Sequence, residues 1–139
     1  MKKLSIICGC CCLLLVAGCG SYTESRGVSL AGPVKTVALG EFTGSDPASM
    51  KFFKDTVEKE FASAGFLVVT TKSDVVITGI IYYSHIEPMI ASLTAKTSSG
   101  QMINYIDLVS SKATRFDPKT PMDAAKELTK RLIKQMNAR

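Results

Sequence analysis

Residues 75–83 have the sequence VVITGIIYY, in which both alternating sets of side chains are largely apolar. The β-branched and aromatic residues favour a strand over a helix. Apolar side chains on both faces are typical of a strand at the centre of a sheet, and Gly79 in its interior indicates a bulge or a close backbone approach. We therefore predict a central strand here, with the rest of the domain arranged around it.

A helix is predicted between residues 46 and 65, before this strand. Asp46 followed by Pro47 is typical of an N-cap and a first helical position, and Gly65 is typical of a left-handed C-terminal cap. Apolar residues recur between these caps at spacings of three and four, which places them on one helical face. These residues are Met50, Phe53, Val57, Phe61 and Ala64.

Short apolar runs predict two further strands, at residues 34–40 and 66–70, on either side of that helix. Residues 89–97 and 101–109 flank a Ser-Ser-Gly turn and predict a hairpin. A last helix is predicted to begin at Thr120, which can cap it. The inward stripe of this helix consists of Ala125, Leu128, Leu132 and Met136.

Together these elements predict an α+β fold, with one mainly antiparallel sheet of four or five strands and two amphipathic helices on one face. The domain is expected to occupy residues 34–139. The helices and the central strand are expected to share one core. Its predicted members are Phe53, Val57, Phe61, Leu128 and Leu132 from the helices and Val75, Ile77 and Ile81 from the strand.

The chain begins with Met-Lys-Lys, and residues 4–17 carry no charge. A transmembrane helix needs about 20 apolar residues, whereas a shorter run of this kind is typical of the apolar core of a signal peptide. The stretch at its end, Leu15-Val16-Ala17-Gly18-Cys19, resembles the lipobox of bacterial lipoproteins. The resemblance implies that residues 1–18 are cleaved off and that Cys19 is acylated, which would hold the protein on a membrane.

All five cysteines lie within the first 19 residues, where a thiolate metal cluster or disulfide bonds are the alternatives to a signal peptide. Their neighbours are mainly Leu and Ile, which supply no polar second shell for a metal. We therefore predict that four of the cysteines act as small hydrophobes in the signal peptide, and we expect no metal and no cofactor. The five are Cys8, Cys10, Cys11, Cys12 and Cys19.

Residues 19–33 are rich in Gly and Ser and lack a hydrophobic period, which predicts a flexible tether between the lipidated cysteine and the domain. A tether of this length would span on the order of 20 Å. Residue 20 is Gly, whereas lipoproteins retained at the inner membrane of enteric bacteria commonly have Asp there. The expected location is therefore the cell envelope, on the outer membrane and facing the periplasm.

The order of apolar motifs in the domain is similar to that of a group of bacterial envelope lipoproteins. Residues 37–42 (VALGEF), 64–69 (AGFLVV) and 73–79 (SDVVITG) carry the resemblance. The group includes the curli secretion-channel lipoproteins, the activator lipoproteins of penicillin-binding proteins and the start of the Tol-system translocation protein. The resemblance implies action through protein–protein contact, although the chain lacks the added segments that line a secretion channel.

The sequence offers no catalytic constellation. It has no nucleophile elbow, phosphate-binding loop or calcium loop, and its single histidine, His85, is expected to lie at a strand edge or in a loop. Four carboxylates could converge as an acid–base pair, but helix caps and solvated loops explain them equally well. These are Glu41, Asp46, Asp74 and Glu87. We predict that the protein is not an enzyme.

Positive charge is concentrated at the end of the chain. The whole chain has 17 basic and 12 acidic residues, a net charge of +5, which does not indicate nucleic-acid binding. Residues 112–139 hold eight basic residues and three acidic ones, and Lys126, Lys130 and Lys134 follow one flank of the last helix. This flank is either a solvated helix face favoured by the helix dipole or a patch for an anionic partner, such as lipid head groups, a glycan or an acidic protein.

The favoured functional prediction is a non-catalytic binding or assembly module, held on the membrane by its lipid and docking on an envelope protein. The alternative is a small hydrolase or a carrier of an apolar ligand, with a site between sheet and helices near Tyr82, Tyr83 and His85. An enclosed pocket with converging polar groups would favour the alternative. The sequence leaves the partner's identity and the oligomeric state open.

Overall fold

The structure is a computed structural model that describes residues 21–82, 89–110 and 119–138. In these ranges the chain forms six strands and two helices. In chain order they are β1 (Ser21–Arg26), β2 (Thr36–Gly44), α1 (Pro47–Ser63), β3 (Leu67–Val69), β4 (Val75–Tyr82), β5 (Met89–Lys96), β6 (Met102–Ser110) and α2 (Lys119–Asn137).

The six strands form one sheet in the order β1-β6-β5-β4-β2-β3. The pairs β1–β6, β6–β5 and β5–β4 are antiparallel, whereas β4–β2 and β2–β3 are parallel. Both helices pack against each other and against one face of the sheet. The predicted α+β class, the two helices on one face and the interior position of β4 are therefore confirmed.

The sheet differs from the prediction in the number and direction of its strands. It has six strands and is mixed, whereas the sequence predicted four or five strands in a mainly antiparallel sheet. Parallel neighbours need a crossover connection of about a dozen residues or more, and the 17-residue helix α1 supplies it after β2. The chain therefore returns to the start of β2 before it enters β3 and β4, which run parallel to β2.

Strand β1 lies in the segment for which the sequence predicted a flexible tether. Ser21 pairs with Val109 and Arg26 with Asn104 along β6, so the described sheet begins at residue 21 and not near residue 34. Five of the six residues in β1 are exposed, and the strand therefore lacks the apolar alternation by which strands are recognised. Its pairing partners lie 78 to 88 positions away in the chain, and local sequence patterns do not encode such distant pairing.

Helix α1 begins and ends as predicted. The backbone N–H of Ser49 donates to the Asp46 carboxylate over 2.8 Å, Pro47 opens the first turn, and Gly65 follows the helix with φ of 93°. These contacts satisfy backbone groups that a helix end leaves without intrahelical partners. The helical spacing is confirmed for Phe53, Val57 and Phe61, which are buried.

The core lies between the helices and the sheet. All eight predicted core residues are fully buried there, and so are Ala125 of α2 and Leu93 of β5. The ring of Phe61 meets that of Phe66 edge-on, with the centroids 5.4 Å apart, an arrangement that aromatic pairs favour. The predicted α2 stripe is buried along its length, whereas Ala64 at the end of the α1 stripe is exposed.

Gly79 allows two aromatic rings to pack directly against β4. A Cβ atom at this position would lie 2.5 Å from Cε1 of Phe42 and 3.0 Å from Cε1 of Phe53. The two rings also contact each other, with their centroids 6.1 Å apart. The sequence predicted a bulge or a close backbone approach at Gly79, whereas the groups that approach it are side-chain rings, which fix how α1 packs over the centre of the sheet.

Asp74 ties the start of β4 to the start of β2. Its carboxylate accepts hydrogen bonds from the backbone N–H groups of Lys35 and Thr36, at 2.9 and 3.0 Å, and its own N–H donates to the Thr36 hydroxyl. The two backbone donors hold the pKa of the Asp74 carboxyl below its ordinary value.

We expect Asp74→Ala to lower the free energy of unfolding by about 1 kcal/mol at neutral pH, because the lost hydrogen bonds are exposed to solvent. The lowered pKa means that the stabilisation is present above the unfolded pKa of about 3.9 and is lost as the pH falls through the folded value. Urea midpoints at neutral and strongly acidic pH would measure this, with Glu58→Ala on the exposed face of α1 as the control. Equal deficits for Asp74→Ala at both pH values would contradict the assignment.

Candidate binding surface

The three lysines predicted to form a basic patch are exposed together on α2. Lys126, Lys130 and Lys134 are spaced four apart and lie opposite the buried stripe of the helix. Residues with this spacing are neighbours on a helical surface. The structure thus brings the three side chains onto one solvent-facing flank, and their binding of an anionic partner stays a prediction.

A cleft of about 380 Å³ lies between α2 and the edge strand β1. Lys130 and Lys134 line it, whereas Lys126 is not among its lining residues. Four of the lining residues are basic and two are acidic, so the cleft carries a net positive charge. Its lining is Glu24, Arg26, Glu127, Lys130, Arg131, Lys134, Gln135 and Ala138. We call this the basic cleft.

Arg131 joins the wall of the basic cleft to β1. Its guanidinium carbon lies 3.7 Å from the centre of the Tyr22 ring, and its Nη1 lies 3.6 Å from Oε1 of Glu24. The ion pair is about 40% exposed on both sides, so it contributes less than about 1 kcal/mol to stability. The contact with the ring adds a cation–π attraction, and together the two interactions orient the guanidinium.

A buried polar contact lies behind Gln135, one of the lining residues of the basic cleft, and we call this contact the floor of the cleft. The side-chain amide of Asn104 donates to Oε1 of Gln135 over 3.2 Å, and both residues are almost fully buried. Buried polar groups are costly unless they are hydrogen-bonded, so this contact fixes the last turns of α2 against β6. Asn104 also pairs with Arg26 of β1 in the sheet register, which connects the floor to the edge strand.

Strand β1 forms one edge of the sheet. It pairs with β6 on one side, and no other described strand lies on its outer side. An edge strand presents unpaired backbone N–H and C=O groups that can pair with another chain. The edge of β1 and the basic cleft are adjacent, because Glu24 and Arg26 belong to both.

The structure adds Tyr22, Glu24, Arg26 and Arg131 to the three predicted lysines. The sequence did not indicate the first three, because they lie in the segment assigned to the tether. The alternation of longer side chains at Tyr22, Glu24 and Arg26 with smaller ones is the signal that could have shown a strand here. Arg131 lies only one residue from Lys130, but its contact with Tyr22 joins distant parts of the chain.

The candidate acid–base carboxylates are placed apart. Asp46 caps α1 beyond the C-terminal end of β2, whereas Asp74 binds backbone groups at the N-terminal end of the same strand. Glu41 is exposed on the sheet face away from the helices, beside Lys96, and Glu87 lies outside the described residues. Helix capping and strand linkage therefore account for Asp46 and Asp74.

The predicted alternative site is only partly described. Tyr82 is exposed at the end of β4, and Tyr83 and His85 lie outside the described residues. The layer between sheet and helices, where an apolar ligand would lie, is packed with fully buried side chains. They include Phe53, Phe61, Ile77, Leu93, Ile106, Leu128 and Leu132.

The predicted signal peptide, the lipobox and Cys19 lie outside the described residues. Neither helix in the described part of the chain is long and apolar enough to cross a bilayer.

No protein-family model and no curated protein matches the sequence. Among solved structures, the chain is similar to the PelC dodecamer of Paraburkholderia phytofirmans, with a TM-score of 0.59 and 11% identity over 86% of this chain and 99% of that one. A variant of the same protein gives a TM-score of 0.60 at 12% identity, over 86% and 98% of the two chains. A PDZ domain protein from Parabacteroides distasonis gives 0.55 at 9% identity, over 84% of this chain and 37% of that one. At these identities, the likeness establishes the fold.

Proposed function

We propose that the protein is a lipid-anchored envelope lipoprotein that acts as a non-catalytic binding or assembly module for an envelope protein. The observation that carries the proposal is the position of the basic cleft against the outer edge of β1, where no other described strand pairs. A free edge can pair with an extended segment of another protein, and the adjacent cations favour a segment that carries acidic side chains.

The proposed anchor is the acylated Cys19, at the outer membrane and facing the periplasm. Its support is the lipobox resemblance at residues 15–19 and the Gly at position 20. Acyl chains gain about 0.8 kcal/mol per buried CH₂ group, and stable anchoring takes more than one chain or a second signal. Acylation of Cys19 by more than one chain, as the lipobox resemblance implies, would supply such an anchor.

Among the three anionic partners that the sequence left open, we favour an acidic protein surface over lipid head groups. Cys19 precedes Ser21 by two residues, so the anchor lies at the Ser21 end of β1. Arg26 is five residues further on, about 17 Å along an extended strand. Charges are screened over about 8 Å at physiological ionic strength, so the Arg26 end of the basic cleft lies beyond the strong field of the anchoring membrane, whereas Arg131, which contacts Tyr22, lies nearer to it. A glycan could bind the cations of the basic cleft, but it would not pair with the backbone groups at the edge of β1.

Self-assembly is a specific form of this proposal. PelC, whose fold the chain shares, is a dodecamer, so the partner that docks here could be another copy of the chain. The oligomeric state is therefore one of the outcomes that the following experiment distinguishes.

We expect the triple change of Lys126, Lys130 and Lys134 to Gln to weaken partner capture about tenfold at low salt, since charge complementarity raises association rates by 10-fold or more. The difference from wild type should shrink as salt rises. The measurement is crosslinking in living cells, followed by identification of the captured chain and by titration of the purified pair at several salt concentrations.

The matched control is the same change at Lys51, Lys54 and Lys59, which removes three lysines from α1. Capture of one recurring envelope protein that survives the control but not the α2 change supports the proposal, and capture of the chain itself specifies self-assembly. Equal capture by both triple variants across all salt concentrations would leave the α2 lysines as a solvated face and contradict the proposal.

A further inference from the structure

The sheet face away from the helices carries an exposed apolar patch at one end. Its residues are 37–52% exposed, although each is a large hydrophobic side chain. They lie on the outward-facing positions of three adjacent strands, next to one another in the sheet register. These residues are Ile80, Tyr82, Ile90 and Val109, and we call them the outer apolar patch.

The patch forms a row that leads to the first described residue of the chain. Tyr82 pairs with Ile90, Ile90 with Val109, and Val109 with Ser21. Adjacent strands are about 4.8 Å apart, so the row crosses four strands within about 15 Å. It ends where the chain enters the sheet.

In the next row the outward face keeps Ile80 on β4 and becomes polar on the other three strands. Behind Ile90 the same face carries Ser92, which pairs with Asp107, and Asp107 pairs with Thr23 of β1. A further step brings Thr94 opposite Tyr105. Four of the exposed large hydrophobic side chains thus lie together at the end of the face that receives the N-terminal segment. A lone exposed hydrophobic residue needs no explanation, but a contiguous group marks an interaction site.

The covalent chain fixes what lies beside this patch. Cys19 precedes Ser21 by two positions, and an extended chain covers at most about 3.6 Å per residue. The Cα atom of Cys19 is therefore within about 7 Å of that of Ser21, at the end of the row. A lipid on Cys19 has Gly20 as its only spacer from the sheet, in place of the predicted tether.

From this placement we infer that the outer apolar patch rests on the surface of the lipid bilayer in which Cys19 is anchored. The inference rests on the proposed acylation of Cys19. Tyrosine and branched aliphatic side chains suit the boundary between head groups and acyl chains, because their bodies are apolar and the phenol group reaches water. The helices then lie on the side of the sheet that is turned away from the membrane, and the basic cleft lies on that side, between α2 and β1.

The test uses tryptophan as a depth probe, because the sequence contains none. The lipidated full-length chain carrying Ile90→Trp is reconstituted into vesicles of phosphatidylethanolamine and phosphatidylglycerol, with or without lipids brominated on their acyl chains. Val109→Trp is the second probe, in case Ile90→Trp disturbs β5. Met102→Trp is the matched control, since Met102 is also exposed and lies at the other end of β6.

We expect the tryptophan at position 90 or 109 to lose about half of its fluorescence in brominated vesicles, because groups at this boundary lie within about 5–10 Å of the acyl region. The tryptophan at position 102 should be almost unaffected. Probes at 90 and 109 that are no more quenched than the control, in a protein that floats with the vesicles, would overturn the inference and leave the anchor intact. A blue shift of the tryptophan emission that depends on the number of protein molecules per vesicle, and not on brominated lipid, would also overturn the inference. It would mean that a second copy of the chain covers the patch. A chain that does not float with vesicles would overturn both the anchor and the inference.

Discussion

Replacing Phe61 by alanine is expected to lower the free energy of unfolding by about 3–5 kcal/mol, the cost of deleting a fully buried aromatic side chain. Phe61 has no exposed surface and packs edge-on against Phe66. It also lies at the end of α1, where the backbone N–H of Phe66 donates to its carbonyl. Its removal would open a cavity that two elements border, and a small domain has only about 5–15 kcal/mol of total stability.

Phe52 supplies the matched control for Phe61. It is the same residue type on the same helix, but it is 39% exposed. We expect Phe52→Ala to cost less than about 1 kcal/mol, as substitutions away from the core usually do. Urea unfolding of both variants, followed by circular dichroism, gives the comparison. A Phe61→Ala variant as stable as Phe52→Ala would show that the face of α1 containing Phe61 is wrongly assigned as the buried one.

The fold could be predicted from the sequence where local physics decides the structure. Asp46, Pro47 and Gly65 set the ends of α1, because capping and left-handed backbone geometry depend on adjacent residues. The apolar spacing between them identified the face that meets β4. The place of Gly79 inside a β-branched run predicted a bulge or a close backbone approach, whereas the structure shows that the side chains of Phe42 and Phe53 occupy the space.

The fold could not be predicted where a distant partner decides it. The direction of β2 relative to β4 depends on how α1 crosses the sheet. The composition of the strands alone does not determine this direction. The polar strand β1 has no apolar alternation, and its pairing with β6 joins distant parts of the chain. A tether and an edge strand have similar composition, since both are polar and exposed.

The candidate binding surface could likewise be predicted only where local sequence spacing decides its arrangement. Lys126, Lys130 and Lys134 could be placed on one flank from their spacing alone, because helical periodicity is local. Arg26 could not be placed beside Lys134, since more than one hundred residues separate them in the chain. The floor formed by Asn104 and Gln135 likewise depends on α2 returning over β6.

Replacing Cys19 by alanine is expected to abolish lipid attachment completely. The lipobox resemblance makes the Cys19 thiol the acyl acceptor, and alanine has no nucleophile to replace it. A precursor that retains residues 1–18 should accumulate, and incorporation of a palmitate analogue should fall to background. Gel mobility and labelling in cells measure the two effects, and fractionation shows how much protein stays with the envelope.

Cys12→Ala is the control that separates lipidation from the other uses of cysteine. Cys12 lies in the apolar run of residues 4–17, where a small apolar residue serves as well as a thiol. We therefore expect normal processing and labelling of this variant. Loss of labelling in Cys12→Ala as strongly as in Cys19→Ala would favour a cysteine cluster with a shared role over a single acylated residue.

The Cys19→Ala variant also tests whether the anchor and the sheet act together. With only Gly20 between Cys19 and β1, the lipid both retains the domain and holds the outer apolar patch against the bilayer. The patch alone buries too few CH₂ groups to match acyl chains at about 0.8 kcal/mol each, so a cleaved domain without its lipid should leave the membrane. We expect release when the signal peptide of the Cys19→Ala chain is exchanged for one that is cleaved without lipidation. A lipid-free domain that stays bound in high salt would mean that the protein surface, and not the acyl chains, holds it there.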